Sequence, residues 1–177
     1  MAYMRFSVPD YDYEQFNGLS WAPPDLLSAS DAEKQIQAGG CIGVSAADEV
    51  FDKLNVRGDQ RHAVMCAIPR DGHLQGQSWA WWKQRAIIID SLDATSMNIV
   101  QDWRTPRAMN TRLGPDDGVA IAAGTYFVIS SHRYDDHWIG NRTILQNDLE
   151  NGFRILATSK DDADTFGECC LSFTWAD

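Results

Sequence analysis

The chain has 177 residues, of which 44% are hydrophobic and 23% charged, and 25 acids against 15 bases leave a formal net charge of −10. A chain this long and this apolar can bury a full core as one domain without disulfides or metals, which excludes an intrinsically disordered protein. The acidity excludes nucleic acid as the main partner and argues against anionic lipid, because both need a basic surface; a basic protein, a cation or a neutral ligand such as a sugar remains.

Residues 1–29 are rich in turn signals and aromatics. Met4 to Val8 reads as a short strand before Pro9, and Pro23-Pro24 forces an extended segment after Trp21. The stretch is expected to be an arm held on the domain by Tyr3, Phe6, Tyr11, Tyr13, Phe16 and Trp21. Ser30-Asp31-Ala32-Glu33 has the form of a capping box that opens a helix, and Gly39-Gly40 stops it. Ser45 followed by Asp48 predicts a second helix with Val50, Phe51 and Leu54 on one side, ending at Asn55 or Gly58.

Beyond residue 60 the hydrophobic period changes to two. Ala63 to Ile68 is apolar and ends at Pro69, and Asp71-Gly72 reads as a turn. Trp79 to Ile89 is read as one long strand and Met97 to Trp103 as the next. Residues 104–118 read as a loop. Strand material follows at Val119–Ile121, Thr125–Ser130, Thr143–Leu145 and Phe153–Thr158. In the last segment Cys169, Leu171, Phe173 and Trp175 alternate with Cys170, Ser172 and Thr174, the pattern of a strand with one face buried. Short strands at roughly ten-residue spacing with little helix between them predict a mainly β protein, an antiparallel β-sandwich or barrel with a short N-terminal α-helical section. The expected organisation is a single domain, 1–177, in which 1–59 supplies the arm and two short helices and 60–177 the β core.

No run approaches the ~18 apolar residues of a membrane span. Residues 1–6 lack the basic region and apolar stretch of a signal peptide. The expectation is a soluble protein, cytoplasmic by default, with secretion without a visible signal left open. Asn141-Arg142-Thr143 fits a glycosylation sequon, which carries meaning only for a secreted chain. Cys41, Cys66, Cys169 and Cys170 contain no Cys-x-x-Cys pair, so a zinc ribbon or thioredoxin motif is excluded, and thiols are expected.

Four constellations carry chemical potential. His132-Arg133-Tyr134-Asp135-Asp136-His137 reads as an exposed connection after strand 125–130. His132, Asp135 and His137 offer ligand types for zinc, with Asp136 as a base or outer partner, and Tyr134, Asp135, Asp136 and Trp138 form a candidate ligand-binding surface. On a continuous strand the two imidazoles would lie roughly 16 Å apart on opposite sides, so only a tight turn at 134–136 allows a shared ion. Asp161, Asp162, Asp164 and Glu168 form an acidic loop that fails the EF-hand pattern, since Phe166 and Phe173 take ligand positions, but suits a looser calcium site. Cys41, on Gly39-Gly40-Cys41-Ile42-Gly43 before the second helix, is a candidate nucleophile with His62 or His73 as its base. The seven tryptophans, Trp79, Trp81 and Trp82 among them, suit either a core or sugar-stacking faces.

The segment Gly152 to Trp175, an apolar strand, an Asp-rich loop and a strand ending in Thr174-Trp175, resembles the C-terminal hairpin of small calcium-dependent fucose-binding bacterial lectins. The resemblance implies a nine-stranded sandwich that holds sugar through calcium in that loop. Gly167-Glu168 stands where those loops carry Asn-Asp.

These readings favour a non-catalytic recognition domain of lectin-like or membrane-surface-binding type. Its expected partner is a glycan, a lipid headgroup or a basic protein, with either no cofactor or a calcium or zinc ion. The alternatives are a metal-dependent enzyme using loop 132–137 and an acidic inhibitor or immunity-type protein that binds a basic partner.

Overall fold

The computed structural model describes residues 11–15, 25–37, 39–58, 62–79, 83–105, 111–160 and 166–175. In chain order the elements are β1 (Tyr13–Gln15), β2 (Asp25–Leu26), α1 (Ala29–Gln37), β3 (Cys41–Ser45), α2 (Asp48–Leu54), β4 (Val56–Arg57), β5 (His62–Ile68), β6 (Gly72–Trp79) and β7 (Gln84–Ile89). There follow β8 (Ile99–Arg104), β9 (Thr111–Leu113), β10 (Val119–Ile121), β11 (Gly124–Tyr134), β12 (His137–Gly140), β13 (Arg142–Leu149), β14 (Gly152–Lys160) and β15 (Phe166–Trp175). The protein is mainly β, and among the described residues there are two helices and the sheets do not close into a barrel.

Nine of the described strands form the first sheet, in the order β2-β1-β3-β5-β11. The long β11 then serves two flanks: residues 124–128 pair with β5 and residues 127–132 with β7, which pairs with β8. Past the end of β5, β11 turns back on itself as β12, and β12 pairs with β4 in the one parallel ladder among the described strands. The second sheet runs β10-β6-β15-β14-β13, with β9 also on β6.

Two apolar clusters separate three layers. Ile36 of α1 and Val50, Phe51 and Leu54 of α2 pack against Ile42, Val44, Met65, Ile87, Phe127 and Ile129 on one face of the first sheet. From its other face, Val64, Cys66, Ile68, Ile88 and Val128 meet Leu74, Phe153, Ile155, Leu171 and Phe173 of the second sheet. Phe153 and Phe173, opposed across the β14–β15 ladder, stack with ring centroids 4.7 Å apart.

Both helices form, with their starts shifted. The α1 cap is Ser28, whose Oγ accepts the Asp31 N–H at 3.2 Å, rather than Ser30. Gly39 ends the segment at φ +75, a left-handed conformation that suits glycine, and its N–H donates to the Ile36 carbonyl at 3.0 Å. Ser45 does not cap α2: it lies in β3 and donates to Glu14 at 2.5 Å, while Ala47 precedes α2 without a side-chain cap. Asn55, at φ 57, ends α2 as expected.

Three expectations need correction. Trp79 to Ile89 is not one strand: β6 ends at Trp79 in the second sheet and β7 begins at Gln84 in the first, so the chain changes sheets between them. Residues 104–118 contain the strand β9. The section before residue 60 does more than pack on the β core, because β3 sits inside the first sheet between β1 and β5. Of the proposed arm, Tyr13 is buried and Tyr11 meets Phe127 edge-on at 5.9 Å. Tyr3, Met4 to Val8, Phe16, Trp21 and Pro23-Pro24 lie outside the described residues.

Candidate functional site

The hexapeptide at 132–137 is a tight hairpin rather than a loop. Tyr134 pairs with His137 and His132 with Ile139, and the turn consists of Asp135 and Asp136 alone, with Asp135 at φ 52. Paired residues share a face, so the turn brings both histidines onto one side of the hairpin. It does not aim them at a common point. His132 Nδ1 faces Asn141 Oδ1 at 2.6 Å, whereas His137 Nε2 sits 3.2 Å from the Arg57 guanidinium, a donor that competes with any cation for that lone pair. Among the described residues no three His, Cys, Asp or Glu side chains gather around one position fit for a metal. The proposed zinc set of His132, Asp135 and His137 is therefore not assembled.

His132 belongs instead to a buried polar network where the chain crosses from β12 in the first sheet to β13 in the second. The Asn141 amide donates to Gln84 Oε1 and to Ser130 Oγ, both at 2.9 Å, and Ser130 Oγ lies 3.1 Å from Cys169 Sγ. Burial pushes the His132 imidazole pKa down, against the opposing effect of its hydrogen bond to Asn141. Asn141 is buried with its amide committed to these bonds, which removes the sequon from consideration as a surface acceptor.

Trp138 is also interior. Arg85, Arg104 and Arg133 place guanidiniums 5.7–5.8 Å from its ring centroid. Arg85 forms a bidentate pair with Asp102 at 2.9 and 3.0 Å and donates to the Leu54 carbonyl at 2.6 Å, tying the ring to the β7–β8 ladder and the end of α2. Burial opposes ionisation of Asp102, but hydrogen bonds from Arg85 and Arg104 outweigh it and lower its pKa. Trp138 is thus a cation–π anchor and offers no open face for a sugar. Tyr134, Asp135 and Asp136 stand exposed at the hairpin tip. Trp103 and Trp175 are buried like Trp138, while Trp81 and Trp82 lie outside the described residues, as do Asp161, Asp162 and Asp164. Glu168 is described in its backbone only, within β15.

Cys41 does not stand at a helix N-terminus. It lies in β3, fully buried, and burial pushes its thiol pKa far up, the reverse of what a nucleophile needs. His62 is committed elsewhere: its Nδ1 contacts the Glu14 carboxylate, which also accepts from Ser45. The serine proton thus points at the carboxylate rather than at the imidazole, the wrong order for a hydrolytic triad. His73 contacts the Asp117 carbonyl at 2.6 Å.

The outer face of the second sheet differs from all of these. Strand alternation turns Leu74, Gly76 and Ser78 of β6 inward and His73, Gln75 and Gln77 outward. Gly76 is required on the inner side, because a Cβ there would come within 2.6 Å of the Leu113 carbonyl oxygen of β9. On the outer side the ladders set Gln75 opposite Ser172, Ser172 opposite Arg154, and Arg154 opposite Gln146, a polar row across four strands. The neighbouring row runs Gln77, Cys170, Leu156. Together these seven side chains line a groove of about 460 Å³. Its described lining residues supply one guanidinium, three amides and a hydroxyl and, among them, no carboxylate, on a chain whose net charge is −10. Among the described residues, no side-chain hydrogen bond or ion pair engages the three amides or the guanidinium.

Sequence reasoning found the Ser172 face of β15 and missed the rest of this row. The missing signal was Gln75-x-Gln77 after the Asp71-Gly72 turn, a polar repeat of period two. No protein-family model, curated protein or solved structure matches this chain.

Proposed function

We propose that this protein is a non-catalytic, lectin-like recognition module, sandwich-like in architecture, that binds a glycan along the outer face of its second sheet. The observation that carries this reading is the cross-strand row Gln75, Ser172, Arg154 and Gln146. Carboxamides both donate and accept, as sugar hydroxyls do. At the ~4.8 Å spacing of neighbouring strands, four such residues present a comb of hydrogen-bonding groups roughly 14 Å long. Leu156 beside them supplies an apolar strip for the C–H face of a sugar ring. The guanidinium of Arg154 in the lining favours a neutral or acidic sugar over a basic protein as occupant. No part of this row calls for calcium.

A glycan array and a liposome pull-down, each run with calcium and with chelator, test the proposal on the wild-type chain and on Arg154→Ala and Gln75→Ala. Glycan binding is expected in both conditions. For a carboxylate-bearing probe, losing a hydrogen bond to a charged group costs about 1.5–3 kcal/mol, so Arg154→Ala should weaken binding by about 10- to 140-fold. Binding to liposomes alone, or glycan binding indifferent to both substitutions, would sink this assignment.

A further inference from the structure

We propose that Cys41 and Cys66 form a cross-strand dithiol that closes to a stabilising disulfide when the chain folds in oxidising surroundings. The two residues are direct partners in the β3–β5 ladder. The adjacent pair, Gly40 and Ala67, is hydrogen-bonded, with the Ala67 N–H donating to the Gly40 carbonyl at 2.8 Å. Hydrogen-bonded and non-hydrogen-bonded pairs alternate along an antiparallel ladder, so Cys41 and Cys66 occupy a non-hydrogen-bonded position. There the Cα atoms lie about 4.5 Å apart and the side chains approach most closely, within the range a disulfide spans. Both side chains point into the core between the sheets and both are fully buried. Burial raises the Cys66 thiol pKa, and the neighbouring Cys41 raises it further, as expected for two sulfurs in close proximity.

In the ladders Cys169 opposes Ala157 and Ser78, and Cys170 opposes Leu156 and Gln77. Cys169 faces Ser130 from β15, and Cys170 turns to the outer face of the second sheet. The chemistry is thiol–disulfide exchange with a small disulfide such as oxidised glutathione. One cysteine thiolate attacks it, forming a mixed disulfide and releasing one glutathione thiolate. The second cysteine then attacks the protein sulfur of that mixed disulfide, and the second glutathione leaves as thiolate. Two protein thiols are oxidised and one glutathione disulfide is reduced to two thiols. In the folded chain both sulfurs are buried and hold their protons, so exchange belongs to folding, when β3 has paired with β5 but the second sheet has not yet covered them. Once the sheet closes, the same burial shields the bond from reductants. The bond would enclose α2 and β4 in a covalent loop, and closing a loop stabilises by restricting the unfolded chain.

The test is to refold the full-length chain from denaturant in a glutathione redox mixture and, separately, in excess reductant. Alkylation, digestion without reduction and peptide mapping follow. The Cys41 and Cys66 peptides should be joined, with the loss of two hydrogens, while Cys169 and Cys170 are alkylated. The oxidised chain should have the higher denaturant midpoint. That gap should vanish in Cys66→Ala and persist in Cys169→Ala; because the gap is taken within each variant, a substitution that is itself destabilising does not obscure it. Recovery of Cys41 and Cys66 as alkylated thiols, their linkage to Cys169 or Cys170, or a bond that lowers the midpoint would each overturn the proposal.

Discussion

Every residue of β7, from Gln84 to Ile89, is buried, whereas β15 buries Cys169, Leu171, Phe173 and Trp175 and turns Cys170, Ser172 and Thr174 outward. The first sheet has helices on one face and the second sheet on the other, whereas among the described residues the second sheet is covered on one face only. This difference fixes what a polar side chain can do in each. Inside the first sheet, and where the chain crosses from it to the second, a polar group must find a partner or cost stability, and Gln84, Arg85, Ser130 and Asn141 are drawn into networks for that reason. On the outer face of the second sheet the same groups are not forced to pair, and no side-chain bond among the described residues engages Gln75, Gln77, Gln146 or Arg154, the residues proposed to meet the glycan. Polar residues of the first sheet are therefore expected to serve stability and those of the second sheet recognition.

The largest effect that tests this contrast lies between the sheets. Phe173 is fully buried and stacked on Phe153, so Phe173→Ala should destabilise by about 3–5 kcal/mol, read as a lower denaturant midpoint. An effect no larger than that of Thr174→Ala, its outward neighbour, would remove the alternation argument. Next comes Arg85→Ala, which strips Asp102 and Trp138 of a buried partner and should cost about 3 kcal/mol, at the low end for a broken buried pair because Arg104 still reaches Asp102. A stability change below about 0.5 kcal/mol would mean that polar residues of the first sheet do not hold it together.

A smaller effect should appear as a pH dependence. The folded His132 pKa lies below its unfolded value of about 6.5, so the unfolded chain takes up the proton first. The stability this residue contributes is fully present above about pH 6.5 and is lost as the pH falls through the folded value. Denaturant midpoints between about pH 7.5 and 5.5, above the carboxylate range, should decline in the wild type and decline less in His132→Gln. Equal slopes would detach His132 from the network. Smallest of all, Thr174→Ala and Gln75→Ala should each change stability by no more than about 0.5 kcal/mol. A clear loss in Gln75→Ala would make the row a structural element and weaken the contrast from the other side.

The sequence by itself determined what depends on local pattern: the mainly β class, the two helices with Val50, Phe51 and Leu54 inward, and the alternation of β15. These follow from side-chain period and glycine chemistry, which act within a few residues. Tertiary structure decided the rest. Cys41 to Ser45, preceded by Gly39-Gly40 and interrupted by Gly43, is too short to announce a strand, and it becomes one because β1 and β5 pair with it on either side. Trp79 and Gln84 look continuous in sequence yet belong to different sheets, a choice that ladder partners far along the chain make. Trp138, read as a binding aromatic, is interior because three arginines, one as distant as Arg85, converge on it. The row Gln75, Ser172, Arg154 and Gln146 comes from four separate strands, and strand register, a property of the folded sheet, is what sets them side by side.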